Sequence, residues 1–259
     1  MLNQKEINDL IATCRKSGRK ILRFYGCSQI DYKETGPVTQ ADIASNQIIT
    51  EALQKYNLPI ISEEMHSEKN ACLHDKYWLV DPLDGTKEFI NNTNDFTVNI
   101  ALIENKKPVF GIVFAPVHKT IWIGINNKNN KKSYRLNDKG EEKIIFCRKP
   151  NLKKLVSLIS NSHADSSKLK LFYERNRLNI IKEISMGSSL KICMIAEGNA
   201  DIYPRLGQTM EWDTAAAQAV LEGAGGYLLT NNGKALYYGK DKLKNTSFVA
   251  TNFKNNFSL

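Results

Sequence analysis

The chain has 259 residues, 42% of them hydrophobic and 24% charged, with a formal charge of +9 from 36 basic and 27 acidic residues. That is enough for one large domain or two compact halves around a substantial core, and no apolar run approaches the length of a membrane span. The N-terminal "MLNQKEINDLIATCRKSGRK" has acidic residues early and no apolar stretch of the kind a secretory leader carries, and the five cysteines and four histidines show neither disulfide-framework nor zinc-ligand spacing, so a secreted, membrane-spanning or zinc-hydrolase protein is not expected.

The positive charge does not mark a nucleic-acid binder. Of the basic residues 28 are Lys and 8 are Arg, spread along the chain, and the densest cluster, "NNKNNKKSYR" at Asn126–Arg135, holds one aromatic and reads as a solvated loop. The residual field suits capture of a small phosphorylated substrate.

In chain order, Ile7, Leu10, Ile11, Cys14, Ile21, Leu22 and Tyr25 fall at helical spacing and predict an amphipathic helix. A second helix is expected from Ala41 to Tyr56, with Thr39 as its cap. Leu58–Ser62 and Lys76–Val80 read as short strands, the first ending in "SEE", the second in "DPLDGT". From Phe96 the β-branched runs of "FTVNIALIENKKPVFGIVFAPVHKTIWIGI" predict an antiparallel meander of three strands. Further on, "KLVSLIS", "NIIKEIS", "DIYPR" and "SFVATN" read as strands. The stretch after "SHAD", "GSSLKICMIAEGNA" and "WDTAAAQAVLEGAGG" read as helices, and "YLLTNNGKALYY" as a hairpin. A soft boundary at 126–143 divides the chain into 1–135 and 136–259.

The chemistry concentrates at "WLVDPLDGTKEF". Asp81 and Asp84 lie three residues apart on a turn shaped by Pro82 and Gly85, and like charges so close repel one another unless a cation joins them. With the Leu83 carbonyl between them, they offer the hard oxygen ligands that Mg²⁺ or Mn²⁺ takes. Glu63 ends the preceding strand and can stand beside them, whereas Glu64 is expected to point elsewhere. Asp213 in "EWDTAAA" completes a set of four acids and can also serve as a helix cap. Asp42, three residues after Thr39, has an ordinary structural reading as part of a capping box.

These stretches resemble the signature of the lithium-sensitive, magnesium-dependent phosphomonoesterases, the superfamily of inositol monophosphatase, fructose bisphosphatase and 3′(2′),5′-bisphosphate nucleotidase. The resemblance covers almost the whole chain. Within the superfamily, "DPLDGTKEFI", "SHAD", "GSSLK" and "AEGNADIYPR" are most similar to bacterial CysQ-type nucleotidases. It implies an α+β fold layered as an α/β/α/β/α sandwich, and two or three Mg²⁺ ions, with Mn²⁺ as a substitute, held by Glu63, Asp81, Leu83, Asp84 and Asp213. It implies catalytic roles for Glu63, Thr86 and Asp42, in which Thr86 orients the attacking water with Asp42 behind it.

The substrate implied is adenosine 3′,5′-bisphosphate, losing its 3′-phosphate to give AMP. It would be bound by Glu63, Leu83, Asp84, Gly85, Thr86 and Asp213 and by His163, Ser188, Lys191 and Arg205. Read alone, Gly187-Ser188-Ser189 offers free N–H groups at a helix start, and Lys191 a mobile cation. Inositol monophosphatases usually lack the lysine of "GSSLK", which favours the nucleotidase over an inositol or sugar phosphatase. A non-catalytic nucleotide- or RNA-binding protein is the reading from another class; its mark would be a broken metal set, and this one is intact. The expected setting is cytoplasmic or peripheral at the inner face of the cell membrane, as monomer or homodimer. Ala217 departs from the glycine common in relatives and is expected to tighten the pocket.

Overall fold

The computed structural model describes residues 2–26, 30–33, 36–65, 74–127, 130–161 and 166–259. Helix α1 (Gln4–Leu22) starts at a capping box between Asn3 and Glu6. Strands β1 (Ile30–Lys33) and β2 (Gly36–Thr39) pair and lead into α2 (Gln40–Leu53), capped by Thr39 with Asp42 reaching back. Strands β3 (Ile60–Ser62) and β4 (Lys76–Asp84), the short helix α3 (Thr86–Ile90), and strands β5 (Thr97–Glu104), β6 (Lys107–Ala115), β7 (Thr120–Asn127), β8 (Asn130–Leu136) and β9 (Glu142–Ile145) follow. The strands from β3 to β9 form a seven-stranded sheet in sequence order, with α1 and α2 packed on one face.

The later residues build a second, five-stranded sheet. Its elements are β10 (Leu155–Ser160), α4 (Ser166–Arg175), β11 (Ile180–Met186), α5 (Leu190–Ala196), β12 (Ile202–Arg205), β13 (Thr209–Met210), α6 (Trp212–Gly223), β14 (Tyr227–Leu229), β15 (Lys244–Asn245) and β16 (Phe248–Thr251). The strand order is β11-β10-β12-β16-β14, while β13 and β15 form a separate two-stranded ribbon. Helices α5 and α6 fill the space between the two sheets, and α4 covers the outer face of the second. The layers therefore run helix, sheet, helix, sheet, helix, as expected.

Helix α6 lies unusually close to the first sheet, because its alanines meet glycines. A Cβ at Gly111 would stand 2.2 Å from the Ala216 carbonyl oxygen, and one at Gly124 would stand 2.3 Å from the Ala219 carbonyl carbon. Neither fits without moving backbone, so the glycines fix the height of α6 and with it the position of Asp213 in its first turn. Ala217 is fully buried in this layer and is not part of the cavity wall. Its methyl packs the core and does not tighten the pocket.

Several sequence expectations are corrected. Within the Lys/Asn-rich stretch at 126–135, residues 130–135 belong to a strand and not to a free loop, because β8 pairs along β7 and buries Ser133 and Tyr134. Lysines on the outer face disguised the strand. The meander has five strands where three were expected. The segment around Asn231–Gly233 turns back through the antiparallel bridge of Leu229 with Ala235, with the Thr230 N–H on the Lys234 carbonyl at 2.7 Å, but forms no second strand there, and β14 takes β16 as its strand partner. No helix among the described residues is long and apolar enough to cross a membrane.

Candidate active site

Strand β4 does not stop at Val80 but continues through Asp84 with a change of register. Asp81 faces Asn99 and Asp84 faces Thr97 on β5, so three steps on one strand match two on the other. This is a β-bulge. In a regular strand, residues three apart point to opposite faces; the extra residue lets both aspartates line one cavity of about 500 Å³. Ser45 on α2 holds the bulge by donating to the Pro82 carbonyl at 2.7 Å. Gly85 ends it with φ 93°, a left-handed conformation that side chains resist.

Glu63, in the turn after β3, and Asp213, in the first turn of α6, face the same cavity, together with Leu83 and Thr86. Glu64 is absent from the cavity wall, as expected, although a turn and not strand alternation separates the two side chains.

Each aspartate has one oxygen tied down. Asp81 Oδ1 accepts from the Leu83 N–H at 3.0 Å, and Asp213 Oδ2 from the Met210 N–H at 2.8 Å. Asp84 Oδ2 accepts from the Ser189 N–H at 2.6 Å, with Asn99 at 3.2 Å and Thr97 at 3.3 Å. The opposite oxygens and the Glu63 carboxylate take no hydrogen bond among the described residues.

Charge follows from this geometry. Burial, and then repulsion from Asp213 and the other acids, holds Glu63 well above the usual carboxylate range. Burial, then Glu63 and Asp84, does the same to Asp81. Burial and Asp84 push Asp213 up to about 7, against the pull of the Met210 N–H, Arg205 and Lys191. Asp84 is raised mainly by burial, with Lys191 opposing. Buried acids that repel each other, each keeping oxygens unengaged, fit a hard divalent cation such as Mg²⁺ and suit zinc or copper poorly. Among the described residues no three acidic, histidine or cysteine side chains already stand close enough to form a finished metal shell. An ion would have to draw them in.

Thr86 and Asp42 also meet. The Thr86 hydroxyl lies 3.3 Å from both Asp42 Oδ1 and the Leu83 carbonyl, while Asp42 Oδ2 accepts from the Thr39 N–H at 2.7 Å and its hydroxyl at 2.6 Å. The capping-box reading and the contact to Thr86 therefore hold together. Burial pushes Asp42 up to about 6, outweighing the two Thr39 hydrogen bonds.

The opposite wall differs from expectation. The Gly187 N–H is 2.9 Å from Asp95 Oδ2 and the Ser189 N–H is spent on Asp84, so this helix start does not present a set of free donors. Lys191 is not mobile: it is buried, with Nζ bound to the carbonyls of Met186 at 3.0 Å and Ser188 at 2.7 Å, over the Tyr203 ring. Burial brings its pKa down to about 8, with Asp84 opposing. Ser188, Lys191 and Arg205 all line the cavity, as does Gly85. His163 lies outside the described residues. Among the lining residues that sequence reading missed are Lys244, Thr209 and Phe248. No local pattern announces them, since the ribbon that delivers Lys244 is two residues long.

Comparison with known proteins finds relatives over most of the chain. The profile of the inositol monophosphatase family matches residues 3–257. The chain is 40% identical over 245 residues to the 3′(2′),5′-bisphosphate nucleotidase CysQ of Salmonella typhimurium, covering 92% of this chain and 96% of that one. It is 37% identical over 257 residues to the CysQ nucleotidase of Buchnera aphidicola, covering 96% and 93%. Among solved structures, CysQ from Bacteroides thetaiotaomicron superposes with a TM-score of 0.79 at 32% identity, covering 96% and 98% of the two chains.

Proposed function

The chain belongs to the inositol monophosphatase family, and we propose that it is a 3′(2′),5′-bisphosphate nucleotidase that removes the 3′-phosphate of adenosine 3′,5′-bisphosphate, giving AMP and phosphate. The observation that carries this is the meeting of Glu63, Asp81, Leu83, Asp84, Thr86 and Asp213 in one cavity whose far wall holds Lys191 and Arg205. We assign Glu63, Asp81, Asp84, Asp213 and the Leu83 carbonyl to two Mg²⁺ ions. When bound, Mg²⁺ lowers the pKa of water and neutralises charge on the departing oxygen.

The chain's own residues do the rest. The Thr86 hydroxyl is pinned between Asp42 and the Leu83 carbonyl and orients the attacking water beside Glu63. Asp42 accepts a proton through Thr86, a task suited to a carboxylate raised to about 6. Lys191 and Arg205 balance the charge of the nucleotide, and Ser188 offers its hydroxyl. Division of labour follows: residues 1–135 supply most of the metal wall, and 136–259 the nucleotide wall and Asp213. The buried thiols of Cys14 and Cys193 suit a reducing cytoplasm.

Turnover of adenosine 3′,5′-bisphosphate against inositol 1-phosphate in Mg²⁺ tests the assignment. Faster hydrolysis of the inositol phosphate would reverse it. Water attacks directly, so no covalent phosphoenzyme forms, and mass spectrometry during turnover should find none.

A further inference from the structure

The proposed substrate carries two phosphates, and the metal wall accounts for only one. The other needs cations of its own. Lys191 does not meet that need alone, because two carbonyls already hold its ammonium.

The segments 202–210 and 244–251 run antiparallel beside the cavity. Arg205 pairs with Phe248 across β12 and β16, and further along Thr209 pairs with Asn245 and Met210 with Lys244. Between these pairings Ser247 donates to the Leu206 carbonyl at 3.0 Å, so the two stretches act as one ribbon. Strand β15 has two residues, which point to opposite sides. Asn245 turns inward and is locked by its Nδ2, which donates to Met210 O at 2.7 Å, Thr214 Oγ1 at 3.0 Å and Thr209 Oγ1 at 3.1 Å. Lys244 is thereby turned to the cavity rim, where it is exposed and makes no ion pair or hydrogen bond among the described residues. On the same ribbon Arg205 keeps one arm on the Gln208 carbonyl at 3.2 Å, while its Nε is buried without a partner.

We propose that Lys244, on the same ribbon as the Arg205 already assigned to the nucleotide, takes the second, non-reacting phosphate of a nucleoside bisphosphate and is the residue that distinguishes a bisphosphate from a monophosphate. The subsite rests on the nucleotidase reading and refines it. Its placement is rigid: Met210, the residue opposite Lys244, donates the N–H that holds Asp213. One ribbon thus fixes the distance between the anion-binding cations and a metal-facing acid.

The test compares adenosine 3′,5′-bisphosphate with adenosine 3′-phosphate in wild type, Lys244→Gln, Lys244→Arg and the exposed neighbour variant Lys242→Ala. Lys244→Gln should raise KM for the bisphosphate about tenfold with kcat and the monophosphate KM unchanged, in line with loss of one charge-assisted contact. Lys244→Arg should restore most of the preference, and Lys242→Ala should match wild type. A wild-type enzyme with no preference for the bisphosphate would remove the nucleotidase reading and the subsite together. A wild-type preference that survives in Lys244→Gln, or a KM change shared by both substrates, would overturn the subsite alone.

Discussion

The two walls of the cavity solve opposite problems. The wall built from the β3 turn, the β4 bulge and α6 concentrates acids, and their mutual repulsion leaves it in need of a cation. The wall built from α5 and the 202–210/244–251 ribbon carries cations, and most are individually restrained: Lys191 by two carbonyls and a ring, Arg205 by the Gln208 carbonyl. The acidic side is poised for a ligand that gathers it; on the basic side Lys191 and Arg205 are already restrained.

The comparison breaks most sharply at the bulge. Asp84→Asn removes a carboxylate and should cut turnover by roughly 10³-fold or more, because both charge neutralisation and water activation depend on the ions. The fold should survive, since Asn can still accept the Ser189 N–H. Activity near wild type would remove the metal argument. A smaller loss is expected one residue beyond the glycine. Thr86→Val keeps the shape but deletes the hydroxyl between Asp42 and Leu83, and should lower kcat by about 10²-fold with little change in KM. A change confined to KM would assign Thr86 to binding instead.

Stability against pH sharpens the contrast without any turnover. In chelator, Asp42 at about 6 and Asp213 at about 7 hold protons that the unfolded chain releases near 3.8. The folded state then binds more protons, so stability is lost as pH rises from about 4 through about 7. Saturating Mg²⁺ should reverse this, adding about 2.7 kcal/mol at a hundredfold excess over Kd, with the largest gain in Tm at the alkaline end. Thermal melts from pH 5 to 8, with and without the ion, read it directly. A chelated Tm that climbs across that range would contradict the repulsive cluster. The mildest test is Gly85→Ala. Its φ of 93° and a Cβ 3.0 Å from the Asp95 carbonyl oxygen should cost ~1–3 kcal/mol, seen as a lower Tm.

Much of the acidic wall was legible because its chemistry is local. Asp81, Pro82, Leu83, Asp84, Gly85 and Thr86 are consecutive, and Thr39 with Asp42 is a three-residue pattern. Even there the bulge was invisible, since it exists only in the pairing with Thr97 and Asn99. The basic wall was legible in part. "GSSLK" and "YPR" drew attention to Lys191 and Arg205, but nothing local says that Lys191 is pinned or that Ser189 serves Asp84. Lys244 could not be found from its neighbours, because its direction is set by Asn245 bonding to Thr209, Met210 and Thr214, some thirty residues away in sequence. β8 was misread for a related reason: its exposed lysines satisfy solvent, and only the fold reveals that Tyr134 is buried.

Anomalous diffraction from a crystal soaked in Mn²⁺ addresses the central claim most directly. Strong peaks in the cavity, with Glu63, Asp81, Asp84 and Asp213 oxygens drawn to within about 2.0–2.6 Å of them, are the predicted result. A cavity without manganese at saturating concentration, its acids still apart, would contradict it.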